Sequence, residues 1–65
     1  MILKLTLFDI FNEQVVNPVS VNFDNVTYFC RDYVTGKGTV IFFPDGSRII
    51  ARQEIEEINK MLGLQ

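Results

Sequence analysis

The sequence contains no histidine and no tryptophan, and it has a single cysteine, Cys30. With no second thiol there is no intramolecular disulfide, and with no imidazole there is neither a His-based metal site nor a His general base. Most common enzyme constellations are lost with them. Long apolar runs are also missing, because the longest, such as Val40-Ile41-Phe42-Phe43, fall far short of the ~20 residues that cross a bilayer. Positive charge is scarce as well: six Lys and Arg stand against eight Asp and Glu, and the pI is near 4.8. Dedicated nucleic-acid-binding domains tend toward a basic surplus and a pI above about 9, so this balance argues against nucleic acid as a partner.

What is present points to one small domain spanning residues 1–65, since the chain is too short for a second core. An apolar fraction of 48% with 22% charged residues excludes disorder as the main state. The opening Met1-Ile2-Leu3-Lys4-Leu5-Thr6-Leu7-Phe8-Asp9 is interrupted by Lys4 and Asp9, and no small-residue cleavage site follows, so it reads as a strand rather than a signal peptide. A lone thiol in such a chain fits a reducing compartment, and the expected location is cytoplasmic with no membrane insertion. Cys30 itself reads as an inert, small hydrophobe, because only Arg31 is an adjacent cation to activate it.

Leu3, Leu5 and Leu7 alternate with Lys4 and Thr6, which marks a strand within Met1 to Phe11. Gln14-Val15-Val16 reads as a short returning strand stopped at Asn17-Pro18, followed by an extended Val19 to Asn22 and a turn at Phe23-Asp24-Asn25. Val26 to Tyr33 is the clearest second strand, with Tyr28 and Cys30 on one face and Phe29 and Arg31 on the other. Thr35-Gly36-Lys37-Gly38 then turns the chain into Thr39-Val40-Ile41-Phe42-Phe43, and Pro44-Asp45-Gly46-Ser47 turns it back into Ser47 to Ala51. After Arg52 the period changes, with Ile55, Ile58, Met61 and Leu62 spaced by three and four and Gly63 at the expected stop. The predicted fold is mainly β (α+β): an antiparallel β-meander of about four to five strands followed by one C-terminal amphipathic helix.

Each cluster that could carry chemistry has a plainer explanation beside it. Gly36-Lys37-Gly38 lacks the spacing of a phosphate loop and joins two strands, so it reads as a hairpin turn. Glu54, Glu56 and Glu57 fall on the polar side of the predicted helix and read as solvated charge, and Asp45-Gly46-Ser47 lacks the remaining oxygens of a calcium loop. No catalytic, metal or cofactor-binding residues are predicted. Arg31, Lys37, Arg48 and Arg52 are the candidate contacts for an anion or a partner, their grouping depending on strand register. Phe42 and Phe43 must point to opposite faces of one strand, so one helix cannot bury both, and they are the candidate self-association residues.

Met1-Ile2, Leu5-Thr6, Val21-Asn22 with Val26, Thr39-Val40-Ile41, Gly46, and Ile50 through Glu56-Glu57-Ile58 form a pattern that resembles the FlbD/SwrD-type family of small flagellar and swarming-motility proteins and similar short bacterial and prophage proteins. The likeness covers nearly the whole chain. It departs at a longer first strand and turn, and at Glu54, where the family has a Ser-type helix cap. That family offers no catalytic residues to transfer. A fainter likeness, to the β-rich core of LytTR-type DNA-binding domains, covers Val26-Thr27-Tyr28-Phe29 and Gly38 to Gly46, while that domain's later basic part has no counterpart here.

The expected function is that of a non-enzymatic, oligomeric accessory or interaction protein of bacterial or phage origin. A homo-oligomer follows from two-sided apolar strands served by one short helix. The alternative is a phage-type inhibitor or binder that holds a small anionic, nucleotide-like ligand at a subunit junction through Arg31, Lys37, Arg48 or Arg52.

Overall fold

The structure is a computed structural model that describes residues 1–9, 11–12, 14 and 16–64. Five antiparallel strands form one sheet: β1 (Ile2–Leu7), β2 (Asn17–Asn22), β3 (Tyr28–Arg31), β4 (Thr39–Phe42) and β5 (Arg48–Ala51). One helix, α1 (Ile55–Met61), follows them. The predicted class is therefore the observed one. The spatial order is β2-β1-β5-β4-β3, so β3, β4 and β5 form a meander and the β1–β2 hairpin docks on β5.

Strand boundaries differ from the sequence reading, and β3 covers Tyr28–Arg31 rather than Val26 to Tyr33. The first strand ends at Leu7 rather than running to Phe11. The second begins at Asn17, not at Gln14, whose main chain lies in a turn; Val15, like Ile10, lies outside the described residues. Pro18 therefore sits inside β2 instead of stopping a strand. It is tolerated because β2 is an edge strand: the bond from the Phe23 amide to the Met1 carbonyl sets the ladder's phase, and Pro18 opposite Thr6 falls where an N–H would point away from β1.

The core lies between the sheet and α1. Leu3 and Leu5 of β1, Val21 of β2, Ile41 of β4, Ala51 of β5 and Ile58 of α1 are buried together, with Phe29, Phe43, Ile49 and Leu62 packed around them. Alternation along each strand puts these residues on one face, and the helical period brings Ile58 to meet them. The helix is only seven residues long and needs its ends secured. The Glu54 amide donates to the Glu57 carboxylate at 3.4 Å. At the other end Gly63 takes φ 79°, so its amide reaches the Lys60 carbonyl while the Leu64 amide reaches that of Asn59. This pair of bonds satisfies carbonyls that the last turn would leave open.

The hairpin and the meander are joined over a short seam. Among the described residues Leu7 opposite Ala51 is the one ladder pair between them, and the flanking main-chain bonds run from Phe8 to Ile50 and from Arg52 to Thr6, both at 2.8 Å. Where the chain leaves the sheet, the Gln53 side chain substitutes for the missing strand. Its Oε1 accepts from the Thr6 amide at 3.0 Å, and the Gln53 main-chain carbonyl accepts from the fully buried Thr39 hydroxyl at 2.8 Å. No helix among the described residues is long and apolar enough to cross a membrane.

Candidate functional site

Register separates the four candidate cations. Arg31 lies opposite Thr39, which lies opposite the buried Ala51, so Arg31 shares the face that carries α1. There its guanidinium pairs with Glu56 at 2.9 Å. Arg48 lies opposite Phe42, which lies opposite Tyr28, and these occupy the other face. Lys37 and Arg52 come together with Phe8 and Glu54 around a shallow cavity of about 250 Å³. The four therefore form no single patch, a result that spacing alone does not reveal because face parity is set by pairing between strands.

The same register divides the two phenylalanines. Phe43 packs against the core on the helix side. Phe42 points to the helix-free face, where it stacks on Tyr28 with ring centroids 4.4 Å apart and planes 19° from parallel. Next to them Cys30, Val40 and Ile50 form a row across β3, β4 and β5. The sequence reading leaves this face bare, whereas the loop after β3 covers part of it. Asp32, Tyr33, Val34 and Thr35 line one side of a groove of about 350 Å³ whose floor includes Val40, Phe42 and Ile50. The loop's outer surface is itself apolar, with Tyr33 and Val34 88% and 94% exposed.

Asp32 holds that loop in shape. The carboxylate is buried, and it accepts from the Val34 amide at 3.0 Å and from the Thr35 hydroxyl at 2.9 Å. Its carbonyl accepts from the Gly36 amide at 2.9 Å. A buried charge is tolerable only with such partners. The sequence reading passed over Asp32, although an Asp followed by Thr at three residues and Gly at four is a recognisable turn signal.

The far side of the helix-free face has a different character. On β1 and β2 it carries Lys4, Thr6, Pro18 and Ser20, with Ile2 at the end. The apolar strip is thus confined to β3, β4 and β5 and borders the β3 edge. On the helix side, α1 is too short to reach the whole sheet, and a polar-rimmed groove floored by Val19, Val21, Phe43 and Ile49 remains beside it.

Cys30 is a free thiol, partly exposed on the helix-free face. Among the described residues no group of three or more Cys, Asp or Glu is placed to hold a metal ion. Comparison of the chain with protein-family models, with curated proteins and with solved structures finds no significant match.

Proposed function

We propose that the protein is a small, non-enzymatic interaction module that self-associates through the apolar strip on the helix-free side of β3, β4 and β5. The observation that carries this reading is the Tyr28–Phe42 stack beside Cys30, Val40 and Ile50, with Tyr28 55% exposed. Large aromatics placed on an open sheet face are what interface anchors look like, and a chain of this size gains stability it needs by burying them. The FlbD/SwrD-like residue pattern belongs to the same proposal, as does a bacterial or phage cytoplasm as its setting. Sedimentation equilibrium over a wide micromolar range tests it. The wild type should exceed monomer mass at the upper concentrations, and Phe42→Lys should return it to a monomer, because an ammonium cannot be buried unpaired in the strip. A single monomeric species throughout refutes the reading.

A second reading is binding of a small anionic, nucleotide-like ligand, and what favours it is the meeting of Lys37, Arg52 and Phe8 around one cavity, which Glu54 also lines, leaving a net charge of +1 there. Two cations next to an aromatic ring can engage a phosphate and stack a base. A thermal-shift screen with nucleotides separates it from the first, since a ligand at 100 times its Kd stabilises by about 2.7 kcal/mol.

A further inference from the structure

The two edges of the sheet are not equivalent. Along β2 the outward-facing row is Pro18, Ser20 and Asn22, and Pro18 has no N–H to offer. Along β3 the bond from the Asp32 amide to the Gly38 carbonyl sets the phase of the ladder, so Tyr28 and Cys30 bond toward β4. Phe29 and Arg31 then direct both their N–H and C=O groups away from the sheet. No Pro interrupts β3, and its one charge, Arg31, is an edge protection that the ion pair with Glu56 at 2.9 Å partly offsets.

We infer that β3 pairs antiparallel with β3 of a second copy, so that two sheets join edge to edge across a two-fold axis. This rests on the self-association of the reading above but seats it on the β3 edge, which leaves the apolar strip uncovered. An axis perpendicular to the sheet keeps each face continuous, so a residue can only meet one of the same parity. Four centres are then available: Tyr28, Phe29, Cys30 and Arg31. Centring on Tyr28 or Phe29 sets Phe29 or Arg31 opposite Thr27, whose amide already bonds to the Phe42 carbonyl at 2.9 Å. Centring on Arg31 sets two guanidinium groups against each other. Centring on Cys30 sets Phe29 opposite Arg31 of the other copy, twice, and each such pair exchanges both of its N–H···O bonds.

The chemistry on either face agrees with that register. On the helix side each Arg31 arrives already paired with its own Glu56, so no lone cation is brought to the junction. On the other side the apolar strips of the two copies, which border the β3 edge, become one surface. Cys30 lies opposite itself at a non-hydrogen-bonded position, where Cα atoms stand about 4.5 Å apart. That falls within the span of about 4.4 to 6.8 Å that a disulfide bridges.

The test combines crosslinking with mass. Copper phenanthroline and dissolved oxygen, which take two protons and two electrons from a pair of thiols, should convert wild type to a covalent dimer through Cys30. Moving the thiol with Cys30→Ser and Tyr28→Cys should abolish that product, because Tyr28 falls opposite Asp32 rather than itself. Arg31→Pro removes an outward N–H without taking a bond from β4, and it should weaken association at least tenfold by sedimentation equilibrium. Because that variant could fold poorly, its fold is checked by far-UV circular dichroism, and hydrogen exchange in wild type gives a second readout: the outward amides of Phe29 and Arg31 should gain protection as concentration rises. Dimers that survive Arg31→Pro, leave the Phe29 and Arg31 amides unprotected, do not crosslink at Cys30 and dissociate with Phe42→Lys would overturn the edge pairing while leaving face-to-face association standing. A monomer at every concentration would overturn both.

Discussion

Gly38 offers the sharpest test of how the sheet is assembled. It has φ 78°, where an L side chain costs roughly 1–2 kcal/mol. Unlike the neighbouring Gly36, which has φ 71° and open space around it, Gly38 faces the carbonyl oxygen of Ala51, and an added Cβ would overlap that atom. The obstacle is main chain, and of the least movable kind. Ala51 is fully buried, pairs with Thr39 of β4, and is the β5 partner of Leu7 at the seam with the hairpin. Gly38 is tied from its own side as well, its amide donating to Glu54 at 3.1 Å and its carbonyl accepting from Asp32 at 3.3 Å.

Gly36→Ala should therefore lose only the conformational cost, while Gly38→Ala adds an overpacking cost of about 1–3 kcal/mol. The sum is about 2–5 kcal/mol, against a total stability of about 3–10 kcal/mol for a domain of this length. Urea unfolding followed by far-UV circular dichroism, at one fixed protein concentration, reads the difference directly. Expressed as melting temperature, the overpacking cost alone corresponds to a drop of roughly 4–24 °C beyond that of Gly36→Ala. Equal midpoints for the two variants would refute the close approach of the Gly38 turn to β5.

The seam makes a second claim: Gln53→Ala removes the acceptor for the Thr6 amide and should cost about 1–3 kcal/mol, with hydrogen exchange accelerating at Thr6 more than at Ile41. Uniform acceleration at both would mean that the hairpin and meander do not open separately. Ile58→Asp places a carboxylate at a fully buried helix position and should leave the protein unfolded or aggregated, so a soluble variant with a native spectrum would refute the packing of α1. At the β4–β5 turn, hydrogen bonds from the Ser47 hydroxyl at 2.6 Å and the Ser47 amide at 2.9 Å hold the Asp45 carboxyl below its ordinary value. With a depressed folded-state pKa, this stabilisation is complete above the unfolded value and is lost as pH falls through the folded one. Ser47→Ala should move the Asp45 titration upward in a carbon-detected NMR experiment, and an unmoved titration would show that the hydroxyl is not the main cause.

Local signals carried most of the element assignment. Alternating Leu3, Leu5 and Leu7 chose one face of β1, and the structure buries Leu3 and Leu5 there. Pro44-Asp45-Gly46 specified its turn because proline presets one dihedral and glycine permits the next, and Gly46 indeed has φ 89°. The three-and-four spacing of Ile55, Ile58 and Leu62 marked the helix, with Gly63 as its stop. Each of these depends on a few neighbouring residues and on nothing distant.

Tertiary structure decided whatever depended on pairing across the chain. That β5 meets β1 rather than lying at an edge is settled by the pairing of Leu7 with Ala51, from opposite ends of the chain, a contact no local window contains. The split of Arg31 from Arg48 follows from register, since alternation fixes faces within a strand but leaves the phase between strands free until they pair. Gln53 looked like an undistinguished residue before a helix, and its role exists only because β5 ends beside Thr6. Gly38 shows both contributions at one position: the sequence marked it as a turn glycine, but only the return of β5 beneath it made the missing Cβ a requirement, because close approach is a property of two chain segments and not of one.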